Sequence, residues 1–257
     1  MAESDTSGGK RVGATETSFA VVEQLREEGG LGVTEVADRV GISKSTAHAH
    51  LWTLVDLGYV VKEGPTYHLG LKFLDLGDHA RTRQNLYHIA KQEVDELISA
   101  VGERGQVMVE ENGRGVYIYQ AKTERAIQTD SHIGTVVDLH ATAVGKSYLA
   151  FLPDDDLEAL LDTLELAART DRTLTDRESL REELTLVRER GFALNDEERI
   201  AGMRAVGAPI LSDDGRVLAA LSVSGPTTRM NGEWFREEVP DKVTQAARII
   251  GIKATYS

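Results

Sequence analysis

The chain has 257 residues, of which 41% are hydrophobic, so it can form one large or two modest domains with true apolar cores. It contains no cysteine, which excludes disulfides and thiolate chemistry, and no run approaches the roughly 18 apolar residues of a membrane-spanning helix. The net charge is −13, and the polar N-terminal residues contain no apolar signal core, so we expect a cytoplasmic protein without a membrane partner.

A helix is predicted near the N-terminus, after a polar tail. Residues 1–12 are rich in Ser and Gly and are expected to be disordered. Residues 16–28 place Phe19, Val22 and Leu25 on one face at helical spacing. This pattern predicts an amphipathic first helix.

Residues 33–60 have the pattern of two short amphipathic helices joined by a tight turn. Gly41 ends the first of them, where a left-handed conformation is cheap only for glycine. Ser43 can cap the second, because its hydroxyl can accept a bond from an otherwise unpaired backbone N–H. Residues 60–69 then predict a β-hairpin. This order is typical of a winged helix-turn-helix, which predicts double-stranded DNA as the partner.

The start of the second helix carries short polar side chains, which let a helix lie deep in a major groove and contact phosphates or base edges. The predicted DNA-binding residues are Ser43, Lys44, Ser45, Thr46, His48 and His50. The two histidines are two positions apart and face different sides of a helix, which argues against a metal pair. An ordinary helical hairpin with a solvated face is the alternative, and the predicted wing favours DNA.

The negative charge of residues 1–75 argues against DNA binding. Residues 1–75 contain seven Lys or Arg and eleven Asp or Glu, whereas phosphate binding normally depends on cations. Either the chain does not bind DNA, or it does so where salt screens repulsion, since the Debye length is only about 3 Å at molar salt. The excess of Arg over Lys, with 42 acidic residues, favours a halophilic source. The alternative is an acidic mesophilic protein whose few cations face the DNA.

Residues 71–100 have mostly helical periodicity, with a hinge between domains predicted at residues 77–83, and a mixed pattern follows. An Asn-Gly turn within residues 106–121 predicts a hairpin. Further strands are predicted near residues 126–131, 191–195, 205–211 and 216–223. Further helices are predicted over residues 142–152, 153–164, 176–190 and 233–250. A sheet with helices packed on it is a suitable frame for a ligand site.

Three blocks of sequence carry a resemblance to a known family. The helix-turn-helix region with YHLGLKFLDLG at 67–77, LHATAVGKSYLAFLP at 139–153, and GFALNDEERIAGMRAVGAPILSDDGRVLAALSVSGP at 191–226 resemble IclR-family transcription regulators. The resemblance implies an α+β fold: a winged helix-turn-helix domain at 13–76, a helical linker at 77–100 and a GAF/PAS-like α/β effector-binding domain at 101–257.

The function implied is a sequence-specific regulator without a cofactor, whose DNA binding is modulated by a small organic acid or sugar acid. One recognition helix reads few base pairs, so we expect a homodimer on a palindromic operator. The family resemblance also suggests a dimer of dimers.

The resemblance also implies where the effector binds. In the family, a small molecule lies between the helix start that matches 141–147 and the strands that match 191–224. Carried over by position, the effector-binding residues are Val137, Ala143, Val144, Asn195, Met203, Ala205, Ser222 and Ser224. The helix start is expected to favour an anion. The two serines share one strand face, where they either bind a carboxylate or sugar hydroxyl or face solvent.

An enzyme is the main competing interpretation. HATAVGKS at 140–147 is similar to a phosphate-binding P-loop, but His140 stands where the first glycine must be. Ser147 with His140 is the only nearby nucleophile and base, so no catalytic residue and no metal ligand is assigned. A non-specific architectural DNA protein is a third interpretation, and it leaves the second domain without a role.

Overall fold

The computed structural model describes residues 11–83 and 85–256 of the chain. Of the expected disordered tail, residues 1–12, all but Arg11 and Val12 lie outside the described residues. The chain divides into two compact units between Ala80 and Arg81, called here the first and the second unit. Within the described ranges, no helix is both long and apolar enough to cross a membrane.

The first unit is a helix-turn-helix followed by a hairpin, as predicted. Its elements are α1 (Gly13–Glu28), β1 (Leu31–Gly32), α2 (Val33–Val40), α3 (Lys44–Asp56), β2 (Val60–Glu63), β3 (Thr66–Leu69) and most of α4 (Lys72–Thr82), whose last two residues belong to the second unit. The strands pair antiparallel in the order β1-β3-β2. Apolar faces of α1, α2 and α3 meet in one core with Tyr67 of the hairpin. Gly41 ends α2 with a φ of 73°, and Ser43 caps α3, so both predicted helix boundaries are confirmed.

The second unit is one antiparallel sheet covered by helices. Its elements are α5 (Leu86–Val101), β4 (Arg104–Glu111), β5 (Arg114–Lys122), β6 (Val136–Val137), α6 (Ala143–Leu149), α7 (Asp154–Thr163), α8 (Arg177–Arg190), β7 (Ala193–Asp196), β8 (Met203–Leu211), β9 (Val217–Pro226), a π-helical turn (Trp234–Glu238) and α9 (Val239–Thr255). The strand order is β6-β5-β4-β9-β8-β7. The predicted hairpin at 106–121 is confirmed, and Asn112 adopts the positive φ of 54° that such a turn requires.

Each face of this sheet has its own core. One face packs against α5 and α9, and it takes Leu221 and Val223 from the central strand β9. The other face packs against α6, α7 and α8, and it takes Ala220 from the same strand. Because strand side chains alternate, Ser222 and Ser224 lie on the α6 side of the sheet.

The structure corrects one prediction about this unit. Residues 126–131 form irregular chain, because Ile127 and Thr129 accept hydrogen bonds from the Arg104 side chain and do not join a strand ladder. Of the predicted hinge at 77–83, residues 77–82 are helical and belong to α4, which ends at Thr82.

Candidate functional site

The start of α3 offers an exposed polar surface. Ser43, Lys44, Ser45, Thr46 and His48 are all exposed. The Ser43 hydroxyl accepts a bond from the Thr46 backbone N–H at 3.1 Å and lies 2.8 Å from the hydroxyls of Ser45 and Thr46. Ser43 therefore sets the direction of the helix, and the lysine and hydroxyls beside it remain open to a partner.

His50 lies apart from this surface. It is half-buried, and its Nδ1 is 2.8 Å from the Ser18 hydroxyl on α1. Two residues turn a helix by about 200°, so His50 faces α1 while His48 faces solvent. The structure thus separates His50 from the other five predicted DNA-binding residues.

Three of the six described Lys and Arg residues of the first unit are already paired with acids. Arg26 lies 2.7 Å from Glu23, and Arg39 lies 2.7 Å from Glu28. Lys44 at the start of α3 and Lys62 in the hairpin are exposed and form no ion pair with any described residue. Sequence reasoning missed Lys62, although its place in the predicted wing was an available signal. The Lys44 ammonium and the Lys62 ammonium, which lies 5.3 Å from the centroid of the Tyr67 ring, are on the elements that a winged helix-turn-helix presents to DNA.

A cavity in the second unit, called here the α6 cavity, contains about 50 Å³ of space that the centre of a water molecule can occupy, and it is partly open to solvent. The predicted residues that line it are Ala143, Val144, Asn195, Met203, Ala205, Ser222 and Ser224. The start of α6 lies directly on β8 because Gly207 has no side chain: a Cβ there would be 2.5 Å from the carbonyl carbon of Ala143. The sheet and the helix thereby enclose the space between them.

Val137 does not line the α6 cavity. It pairs with Gly115 across the sheet edge, and its side chain is buried with Met108 and Tyr117 in the core under α6 and α7. Strand alternation turns Val136 outward and Val137 into that core. The expectation of Val137 as the opposite wall is therefore corrected.

Asn195 joins two walls of the cavity. Its amide nitrogen donates a 2.8 Å bond to the carbonyl oxygen of Ala141, and the side chain is 4% exposed. This bond holds β7 against the segment that leads into α6. Ser222 is also buried, at 3% exposure, and is paired across the sheet with Gln106 and Gly207.

Three arginines that sequence reasoning missed also line the cavity: Arg104, Arg199 and Arg204. Arg104, on β4, is 3% exposed and donates bonds to the Thr129 hydroxyl and to the carbonyl oxygen of Ile127, the latter at 2.5 Å. Arg199 donates a 2.9 Å bond to the Ser131 hydroxyl. We call Arg104 and Arg199 the arginine wall. No described residue that lines the cavity is Asp or Glu, so the lining is cationic.

Burial shifts the pKa values of two groups that line the cavity. It lowers the pKa of the Arg104 guanidinium below its ordinary value, because desolvation disfavours the charged form. It raises the pKa of the neighbouring Tyr117 phenol to about 12 for the same reason. Tyr117 therefore keeps its proton at physiological pH and can donate a hydrogen bond into the cavity.

Comparison with known proteins identifies the family. The model described as bacterial transcriptional regulator IclR C-terminal matches residues 78–252, and the IclR helix-turn-helix model matches residues 15–64. This chain belongs to the IclR family. It is accordingly a DNA-binding transcription regulator whose reading element is the winged helix-turn-helix.

Individual proteins agree with this assignment. The chain is 33% identical to the probable HTH-type transcriptional regulator ArcR of Halobacterium salinarum, over 95% of this chain and 94% of that one. The crystal structure of Thermotoga maritima IclR superposes with a TM-score of 0.82 at 31% identity, covering 96% of this chain and 100% of that one. An IclR homolog from Microbacterium hydrocarbonoxydans, solved with 4-hydroxybenzoate, has the same fold, with a TM-score of 0.78, 22% identity and coverage of 93% and 99%.

The pair proposed for a hydrolase is closed off in this IclR-family chain. Ser147 and His140 are both fully buried, and the Ser147 hydroxyl has no hydrogen-bond partner among the described residues. His140 Nε2 lies 3.0 Å from the carbonyl oxygen of Ala167. A nucleophile needs a base within hydrogen-bond reach and access to substrate, and neither condition is met.

Lys146, the lysine of the P-loop-like sequence, forms ion pairs inside the second unit and is not available to a phosphate. It is 1% exposed, and its ammonium group lies 2.8 Å from Glu198 and 3.3 Å from Glu183. A phosphate-binding lysine must reach into an open loop. Lys146 instead neutralises two carboxylates inside the second unit.

Proposed function

We propose that this IclR-family regulator binds a palindromic operator as a homodimer and that a small organic acid in the α6 cavity changes that binding. The observation that carries the proposal is the cavity itself, which brings together residues from α6, β7, β8 and β9 that match the family's effector site by position. For the domain limits we propose 13–76 for DNA binding, 77–100 for the linker and 101–257 for effector binding.

The DNA contact is assigned to the exposed surface of α3. We infer that Lys44, Ser45, Thr46 and His48 touch phosphates or base edges, while Ser43 acts through its cap. Lys62 is added because it lies in the wing and is unpaired among the described residues. His50 is retained only as a support of α3, through its contact with Ser18.

Exposed apolar surface near α4 supports the proposal that two copies of the chain form a dimer. Leu71 and Leu74 are 84% and 69% exposed, and α4 has no buried residue. Leucines this exposed at helical spacing are typical of a surface covered in an assembly. Two copies related by a two-fold axis require an operator with matching half-sites. Pairing of such dimers into tetramers remains part of the proposal.

An organic acid or sugar acid is proposed as the effector because the cavity offers both hydroxyls and cations. Neither Ser222 nor Ser224 has a side-chain hydrogen-bond partner among the described residues, so both hydroxyls are free for a ligand. The Microbacterium homolog was solved with an aromatic hydroxy acid, which supports this class of ligand for the shared fold. A regulator that only binds is preferred to an enzyme, since Ser147 and His140 lack access to substrate.

We also infer a halophilic, cytoplasmic setting. The net charge of −13 repels DNA at low salt, and molar salt shortens the Debye length to about 3 Å. The similarity to a regulator of Halobacterium salinarum supports the same setting.

The direct test is a gel shift of the purified protein on its own upstream DNA at high potassium chloride, repeated with a panel of small organic acids. A retarded band that resists competitor DNA and responds to at least one acid supports the proposal. Equal affinity for unrelated DNA would instead support an architectural protein. Turnover of candidate esters that disappears in Ser147→Ala would support an enzyme.

Lys44→Ala is expected to weaken operator binding by about 1 kcal/mol and to reduce the slope of log affinity against log salt by about one, because one phosphate contact is lost. Fluorescence anisotropy across a salt series measures both quantities. Arg26→Ala is the matched control, because the Arg26 charge is already neutralised by Glu23. An unchanged salt slope in Lys44→Ala would remove Lys44 from the interface.

Ser222→Ala is expected to retain operator binding and to lower effector affinity about tenfold, because one ligand hydrogen bond is lost. The measurement is the effector concentration that gives the half-maximal change in anisotropy of the operator complex. Ser99→Ala, on the exposed side of α5, serves as the control. An effector response as sensitive as that of the unmodified protein would show that the ligand does not use Ser222.

A further inference from the structure

The most unusual group in the second unit is the Arg104 guanidinium. Its side chain is 3% exposed, yet no carboxylate lies within 4.0 Å of it among the described residues. Asp130 attracts the guanidinium only from a longer distance, whereas proteins normally pair a buried charge at contact distance or bind a ligand to it. Other arginines of the cavity do have partners: Arg204 lies 2.5 Å from Asp196, and Arg199 lies 3.3 Å from the exposed Asp130.

The hydrogen bonds of Arg104 are also incomplete. A guanidinium has five N–H donors, and the two bonds of Arg104 go to the neutral oxygens of Thr129 and Ile127. Its Nε is buried and has no partner in the described structure. These bonds orient the group beside the cavity without neutralising it.

The groups around Arg104 are donors as well. Tyr117 is buried beside it and keeps its phenolic proton, and Arg199 contributes a second guanidinium to the same cavity. Ser224 is paired directly with Arg104 across the sheet, and Ser222 is paired with Gln106. The cavity therefore offers cationic donors from Arg104 and neutral hydroxyl donors from the adjacent strand β9.

We propose that Arg104, assisted by Arg199 and Tyr117, binds the acid group of the effector, while Ser222 and Ser224 on the adjacent strand β9, called here the serine wall, bind its uncharged polar groups. This proposal rests on the effector function proposed above and adds the orientation of the ligand and three binding residues. Because planar guanidinium and carboxylate groups match in shape, a carboxylate is the anion that this wall suits best. The ligand class is thus a monocarboxylic acid that also carries hydroxyl or keto groups.

Titration calorimetry on the full-length protein at fixed ionic strength tests the orientation. The probes are acetate, pyruvate and 4-hydroxybenzoate, each beside its neutral amide. At least one acid is expected to bind, and its amide is expected to bind about 10- to 100-fold more weakly, which is the range of a hydrogen bond to a charged group. An amide that binds as tightly as its acid would overturn the arginine wall, and so would an absence of binding by all three acids.

Two variants locate the acid group. Arg104→Gln is expected to reduce acid affinity about 10- to 100-fold and to leave amide affinity unchanged, whereas Arg104→Lys restores part of the acid affinity because it keeps the charge without the fork. Circular dichroism and the thermal transition confirm that each variant is folded. Undiminished acid binding by folded Arg104→Gln would reject the proposal. An operator complex that still responds to acids in that case would show that the cavity is an effector site with its ligand in another orientation.

Discussion

Gly207→Ala is expected to destabilise the second unit by about 3 kcal/mol and to abolish effector binding. A Cβ at position 207 would lie 2.5 Å from the carbonyl carbon and oxygen of Ala143 and 2.9 Å from the Val144 nitrogen. All three are backbone atoms, so no side-chain rotation relieves the overlap, and α6 must move away from β8. Overpacking of this kind costs about 1–3 kcal/mol and occasionally more.

Thermal unfolding followed by calorimetry measures the destabilisation. For a unit of this size, about 3 kcal/mol corresponds to a fall in Tm of about 6–12 °C. Gly77→Ala is the matched control, because a Cβ at Gly77 in α4 meets no atom within 4 Å and alanine favours a helix. The close contact between α6 and β8 is contradicted if Gly207→Ala melts at the same temperature as Gly77→Ala and still binds an acid.

Local chemistry explains why the first unit was predictable from sequence. The cap at Ser43, the left-handed Gly41 and the hairpin over residues 60–69 each depend on residues close together in the chain. Spacing rules describe such short-range features well. His50 shows the limit, because its partner Ser18 is on another helix and no local pattern indicates that contact.

Long-range pairing explains why the arginine wall was not predictable. Arg104 is on β4, whereas Arg199 is in the loop between β7 and β8, and the strand order β4-β9-β8 brings these distant parts of the sequence together. A long-range contact also explains why the predicted strand at 126–131 is absent. That segment contains β-forming side chains, but Arg104, on another strand, donates a hydrogen bond to its backbone. The serine wall was accessible because the resemblance covered Ser222 and Ser224, while Val137 was assigned by position and strand alternation turned it into the core.

Lys146→Met is expected to cost about 3–5 kcal/mol, the penalty for leaving one partner of a buried ion pair without its counter-charge. Glu183 keeps a second cation, since Arg190 lies 2.8 Å from it. Glu198 has no second cation among the described residues. It is 8% exposed, and its Oε2 has no hydrogen-bond partner in the described structure. Without Lys146, its Oε1 would accept only the hydrogen bond from the backbone N–H of Asp196, at 3.4 Å. The loss therefore falls on Glu198.

The same pair also connects two walls of the cavity. Lys146 belongs to α6, whose first residues line the cavity, and Glu198 directly precedes Arg199 of the arginine wall. Thr173 supports the same loop through a 2.6 Å bond to the Glu198 carbonyl oxygen. We therefore expect Lys146→Met to weaken acid binding as well as to lower Tm.

A double variant separates the charge from the packing. Adding Glu198→Gln to Lys146→Met removes the uncompensated carboxylate and is expected to recover most of the lost stability in chemical denaturation, because an unpaired amide is cheaper to bury than an unpaired charge. Lys91→Met is the control, since the ammonium of Lys91 is exposed and its 2.9 Å pair with Asp95 lies at the surface. If Lys146→Met alone is as stable as Lys91→Met, then the Lys146–Glu198 pair does not hold α6 to the arginine wall, and the loop that carries Arg199 must be positioned by its threonine contacts.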